Sequence, residues 1–203
     1  MHRFEPNECT ERENYKLLTG SIIPRPIAFI TSQSGEGLIN AAPFSYFNII
    51  TADPPMVSIS IQRQQGQYKD TTRNILTSNE FVVHIVDESI VQEVNQTSAT
   101  LYHGDNELQR TNLTTTESHH IQVPGVKEAK VRFECRLEKH IPLGGEEERS
   151  STDLIIGKIV CYHIANEVYS DGKIDSNILQ PVSRLAGANY SSLGSTFAIE
   201  RPK

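Results

Sequence analysis

The chain has 203 residues, 19 Lys+Arg against 25 Asp+Glu for a formal net charge of −6, and 37% hydrophobic residues, the make-up of one globular domain able to bury its own core. Its longest apolar runs, such as Phe81 to Val86 and Leu154 to Ile156, fall far short of the ~20 residues that cross a bilayer as a helix. An acidic balance without a basic block excludes a general nucleic-acid binder, whose affinity rests on neutralising phosphates.

Met1 to Arg12 mixes both charge signs around no apolar centre, unlike a secretory leader, so a cytoplasmic protein is expected. Pro26 to Ser32 is a β-type run, Gln33 to Gly37 a turn whose two glycines supply positive φ, and Leu38 to Ala42 the returning strand. Asp53-Pro-Pro55 turns into Met56 to Ile61, where apolar residues alternate with Ser58 and Ser60 to give one dry face and one polar face. Lys69 to Thr77 reads as a short helix capped by Asp70 or Thr71, with Ile75 and Leu76 inward. Phe81 to Val86 is a strand, and Glu88 to Ala99, with Ile90, Val91 and Val94 at helical spacing, is a second helix.

Leu101 to Val126 is polar and aperiodic, and is expected to be irregular cover with at most a short helix. Lys130 to Glu138 alternates for nine residues as a half-buried strand, and Asp153 to Ile164 is another long strand in which Gly157 marks a bulge or a close backbone approach. The Pro181 to Lys203 tail has no periodic core, and no repeat or linker divides the chain. At least five strands and two short helices without regular strand–helix–strand alternation predict a mainly β protein, its antiparallel sheet closed into a barrel. A doubly wound parallel sheet is the weaker alternative. Neither G-x-G-x-x-G nor G-x-x-x-x-G-K-[ST] is present.

Two dense patches break the amphipathic pattern. In Gly20 to Pro26 two prolines bracket Arg25 and stiffen the backbone around one cation. In Asn40 to Asn48, small residues let a ligand approach the backbone, Asn40 and Ser45 offer hydrogen bonds, and Phe44 and Phe47 can flank a planar ring. On residues alone, a rigid turn with a solvated charge and an aromatic pair in the core are the favoured accounts of them. His119-His120 reads as a solvated pair rather than a metal site. His84 and His163 read as satisfied core or barrel-lining groups, Glu146 to Glu148 as a solvated loop, and the widely spaced Cys9, Cys135 and Cys161 as reduced thiols, the last two buried. No metal site is expected.

The ordered set Gly20-Ser-Ile-Ile-Pro-Arg-Pro-Ile-Ala-Phe-Ile-Thr31, Asn40-Ala-Ala-Pro-Phe-Ser45, Asp53-Pro-Pro55, Lys69-Asp-Thr71, Asn74 and Pro181-Val-Ser-Arg-Leu-Ala-Gly187 followed by Tyr190 resembles the flavin reductase-like, FMN-binding split-barrel family from about Tyr15 to Leu193. The resemblance implies a single domain built as a six-stranded Greek-key split barrel with short flanking helices. It also implies a homodimer with FMN in a groove at the subunit interface. Transferred by position, Thr31, Ser32, Asn40, Ala41, Ala42, Pro43, Phe44 and Ser45 are ring-side candidates, Arg63, Lys69, Asp70 and Thr71 phosphate-side candidates, and Arg25 a further cofactor-binding candidate. A helix beginning near Asp70 suits a phosphate through its free N–H groups and dipole.

The expected activity is NAD(P)H-dependent flavin reduction, with hydride passing from nicotinamide to flavin N5 and electrons leaving to free flavin or another small acceptor, with no nucleic-acid or membrane partner. The alternative is an FMN carrier or electron-transfer protein that does not itself oxidise NADH or NADPH. Ala186-Gly187 departs from the Gly-Gly pair of many relatives, which weakens the transfer of tail contacts, although Arg184 remains a candidate partner for an anion or a neighbouring subunit.

Overall fold

The computed structural model describes residues 1–98, 106–145 and 150–202. Seven strands, β1 (Ala28–Gln33), β2 (Ile39–Phe44), β3 (Phe47–Ala52), β4 (Pro55–Gln62), β5 (Glu80–Ile85), β6 (Val131–Leu143) and β7 (Thr152–Ile164), form one sheet in the order β2-β1-β5-β6-β7-β4-β3. Every pairing in it is antiparallel, which removes the doubly wound alternative.

The two edge strands β2 and β3 are separated by Ser45 and Tyr46 alone, so the sheet curls until its edges meet at that link, which the Ser60 N–H ties down by donating to the Tyr46 carbonyl at 2.8 Å. Among the described residues no ladder joins β2 to β3. The barrel is therefore split rather than closed, and its sheet has seven strands where the resemblance implies six. The reason lies in Asn40 to Asn48, which reads as a single strand exit. It breaks at Ser45-Tyr46, and Phe47–Ala52 then pairs with β4 around the Asp53-Pro54 turn.

Side chains alternate across this curl. Ala28, Ile30, Val57, Ile59, Ile61, Phe81, Val83, Cys135 and Ile155 fill the inside, while Phe29, Ala41 and their neighbours meet Ile90, Val94, Leu108 and Val126 in an outer layer. Helix α2 (Asp70–Ser78) drives Ile75 into the inner cluster and stops where Asn79 adopts φ 59°, a left-handed conformation that Asn tolerates well. Gly157 faces the ring of Phe81, where a Cβ would sit 2.3 Å from Cζ, and the β6–β7 register shifts beside it, as expected from the isolated glycine. In the first hairpin only Gly37 has positive φ; the second glycine of that turn, Gly35, does not need it.

Helix α1 (Glu11–Ser21) is absent from the sequence reading because its apolar periodicity is poor. Its sequence signal is the capping box, in which the Thr10 hydroxyl accepts from the Glu13 N–H while Glu13 accepts from the Thr10 N–H. Helix α3 (Val91–Gln96) is shorter than the expected Glu88 to Ala99. The aperiodic stretch contains a 3₁₀ turn at Glu107–Arg110 and a two-residue ladder of Thr115–Thr116 with Gly125–Val126. Residues 99–105 and the acidic run 146–148 lie outside the described residues. Among those described, no helix is long and apolar enough to cross a membrane.

Candidate functional site

Helix α2 begins without a side-chain cap. Lys69, rather than Asp70 or Thr71, occupies the N-cap position and makes no capping hydrogen bond, so the first-turn N–H groups keep no side-chain acceptor at that end. Asp70 forms an ion pair with Arg73 along the helix. The Lys69 ammonium lies 5.7 Å from the centroid of Phe44, and burial pulls its pKa below the ordinary lysine value. No carboxylate pairs with Lys69 among the described residues. A partly desolvated cation beside an uncapped helix start is a site short of one anion.

That helix start opens onto β2. A cleft of about 390 Å³ is lined by Asn40, Ala42, Pro43, Phe44, Lys69 and Thr71, with Thr97, Ser98 and Glu107 on the far wall. Asn40 spans the two halves: its Nδ2 donates to Thr71 Oγ1 at 2.9 Å and, at 3.5 Å, to Ser32 Oγ, which also accepts from Asn74 Nδ2 at 3.2 Å. Both Asn40 and Thr71 are buried, so this network holds the loop and helix segments in one fixed relation.

Most, but not all, of the sequence-predicted residues converge here. Asn40, Ala42, Pro43, Phe44, Lys69, Asp70 and Thr71 line the cleft, and Ser32 supports it from below. Ala41 turns its methyl into the outer layer and offers its N–H at the sheet edge, where Glu107 Oε2 accepts it at 3.0 Å. Thr31 alternates to the outer face and donates to the Pro124 carbonyl at 2.7 Å.

Arg63 stands apart. Its guanidinium makes two bonds to Asp153, at 3.0 and 2.8 Å, stacks on Tyr68 and is almost fully buried, while His140 Nε2 lies 2.8 Å from the same carboxylate. Arg25 is spent on the carbonyls of Thr19, Ile22 and Leu185, and with Ser45, Ser58 and Ser60 it lines a separate cleft of about 400 Å³ beyond the β2–β3 link. In the tail, Arg184 donates to the Gly187 carbonyl at 2.8 Å and stacks on Tyr190.

Thr97, Ser98 and Glu107 are cleft residues that sequence reasoning missed: the first two stand at the end of a helix whose periodicity marks only its apolar face, and Glu107 lies in the aperiodic stretch. His84 is satisfied as expected, with Nδ1 2.9 Å from the Phe29 carbonyl and Nε2 accepting the Val126 N–H at 2.8 Å.

Residues 19–177 match the family model described as flavin reductase like domain. The chain belongs to the flavin reductase-like family. An uncharacterised protein of Bacillus subtilis, YwrF, is 47% identical over the full length of both chains. Nitrilotriacetate monooxygenase component B from Bacillus cereus superposes with a TM-score of 0.96 at 53% identity, covering 98% of each chain. The 2-nitrobenzoate 2-nitroreductase NbaA of Pseudomonas fluorescens follows at 0.89 and 31%, covering 99% of this chain and 96% of its own. Within this flavin reductase-like fold, the cleft between β2 and α2 joins segments that the sequence carries 31 residues apart.

Proposed function

We propose that the chain binds FMN in the β2–α2 cleft and reduces it with NADH or NADPH. The observation that carries this reading is the uncapped start of α2 beside a partly desolvated Lys69 with no carboxylate partner among the described residues, joined through Asn40 to a wall of small and aromatic residues. On this reading the phosphate sits on the first-turn N–H groups of Asp70 and Thr71, with Lys69 as its counter-charge. The Thr71 hydroxyl accepts from Asn40, which leaves its own O–H to donate to the ligand.

Bound FMN would supply the hydride-accepting ring. The protein's share is to hold that ring against Ala42, Pro43 and Phe44 with one face open to a nicotinamide. Arg63 and Thr31, held by Asp153 and Pro124, drop out of direct contact, while Arg25 and Ser45 border the neighbouring cleft. A homodimer has support in the exposed Ile22, Ile49 and Ile50 around the β2–β3 link. The acceptor is then free flavin or a second protein, and the name of the relative called monooxygenase component B fits export of reducing equivalents to a partner.

Titration of the purified chain with FMN and with riboflavin, followed by anaerobic addition of NADH or NADPH, tests the proposal. Tight FMN binding, weaker riboflavin binding and bleaching of the flavin band are expected. Full occupancy without bleaching by either nucleotide leaves the carrier reading, which the missing dinucleotide fingerprint already favours. No binding at all overturns both.

A further inference from the structure

On the opposite face of the sheet from the inner core, three donor groups of different chemistry converge. Glu134 on β6 is directly opposite Cys161 on β7, and His163 follows two residues later on the same face. One Glu134 oxygen, one ring nitrogen of His163 and the Cys161 sulfur all lie within 4.8 Å of one another. Cross-strand partners bring Cβ atoms to ~5 Å, but the alternation of β7 alone would bury this thiol. Ile159, opposite Cys135, faces the inside, and Cys161 would follow it there. A β-bulge intervenes: the register shifts between Ile159 and Cys161, so Val160 packs on the outer cluster of Val82, Ile121 and Val123 and the next partner is Glu134. Bulges of this kind re-aim side chains and gather at functional sites. The expectation of a buried Cys161 is thereby corrected: Cys135 is buried and Cys161 is half-exposed.

The carboxylate is held ready. Glu134 is fully buried, yet its pKa lies below the ordinary value: against desolvation, which would raise it, stand the His119 N–H at 2.5 Å, the His163 ring at 2.6 Å and the His120 N–H at 2.7 Å. A carboxylate has about four lone-pair directions, so these three bonds leave one unused. The His119 and His120 rings are outside the donor set; their segment contributes the backbone that clamps Glu134. Burial and the neighbouring Glu134 carboxylate push the Cys161 thiol up, an effect that Arg132, on the same face, only partly offsets. The His163 side chain is a quarter exposed, which gives an ion a way in from solvent.

We infer that Glu134, Cys161 and His163 form a binding site for a thiophilic divalent cation, Zn²⁺ by its donor chemistry, with a fourth position open to water. A sulfur, nitrogen and oxygen set suits that ion over the hard cations, which take oxygen alone. On binding, the ion replaces the thiol proton of Cys161 and the proton that His163 shares with Glu134; both leave to solvent. The site lies on the outer face of β6 and β7 and is independent of the flavin reading.

The test uses the full chain, stripped with chelator and titrated with Co²⁺ and then Zn²⁺. One equivalent of Co²⁺ should give a thiolate-to-metal charge-transfer band in the near ultraviolet that Zn²⁺ bleaches. Cys161→Ser should abolish the band, and His163→Gln should weaken Zn²⁺ binding tenfold or more, with circular dichroism unchanged in both. His119→Ala/His120→Ala should bind as the parent does. The proposal is overturned by absence of a band at micromolar protein, by a band that survives Cys161→Ser, or by loss of binding in the double histidine variant alone. FMN affinity measured on the same Cys161→Ser protein should stay at the parental value, which separates failure here from failure of the flavin site.

Discussion

The carboxamide of Asn40 donates to the hydroxyl of Thr71 across 2.9 Å, joining the edge strand β2 to the first turn of α2 inside one cleft. It is the covalently unrelated contact through which the two halves of the proposed site keep their spacing. Asn40→Ala is expected to weaken FMN binding by about 1 to 2 kcal/mol, the size of a buried hydrogen bond with its stranded partner, and to alter the flavin spectrum. Fluorescence titration measures both; an unaltered spectrum and affinity would remove Asn40 from the site.

Lys69→Ala should cost FMN affinity about 1 to 2 kcal/mol, roughly five- to thirtyfold, as expected of a charge-assisted bond. The loss should be much smaller for riboflavin, which lacks the phosphate. Equal losses for the two ligands would mean that Lys69 contacts the ring or merely supports the fold.

Asp153→Asn should destabilise the protein by about 3 to 5 kcal/mol, because Arg63 would keep its burial and lose its paired carboxylate. Denaturant melts give the number. FMN affinity, measured where the variant is still folded, should not move; a large change would return Arg63 to the phosphate side.

His84 imposes a pH dependence. Burial drives its pKa down to about 4 from an ordinary 6.5, so between those values the unfolded chain takes up a proton that the folded chain refuses. Stability is therefore full above pH ~6.5 and falls as pH drops toward ~4, by up to about 3 kcal/mol. Replacing His84 with Met should lower stability at neutral pH, where two hydrogen bonds go, yet flatten the acid slope. Chemical denaturation at pH 7.5 and pH 5 distinguishes this from a uniform loss.

Gly157→Ala would press a methyl onto the Phe81 ring from 2.3 Å. With both residues in a packed core, a loss of about 1 to 3 kcal/mol is expected. The double variant with Phe81→Leu should recover part of that loss in the same melt; a neutral single variant would show that the ring moves aside freely.

Much of the sheet was legible because its strands are simple: Met56 to Ile61 and Lys130 to Glu138 alternate openly, and Asp53-Pro-Pro55 announces its turn. The site was legible as two segments, and the contact between them was not, since nothing local in Asn40 refers to Thr71. Charge type alone does not name the partner of Arg63. A cation near the helix start looks phosphate-facing until Asp153, 90 residues on, is paired across the β4–β7 ladder. Glu134 shows the same dependence. It stands on the face of an alternating strand opposite Cys135, and only the fold of the His119 segment over it makes that face interior. In both cases the fate of a charge depends on what the chain lays over it later.

The single extra residue at Val160 gives β7 two phases along one ribbon. Upstream, odd-numbered positions belong to the apolar interior; downstream, the parity is inverted and they belong to the reactive exterior. Deleting that residue would leave a regular ladder with the thiol and the imidazole still outward, whereas flattening the bulge with the residue kept would carry both inward.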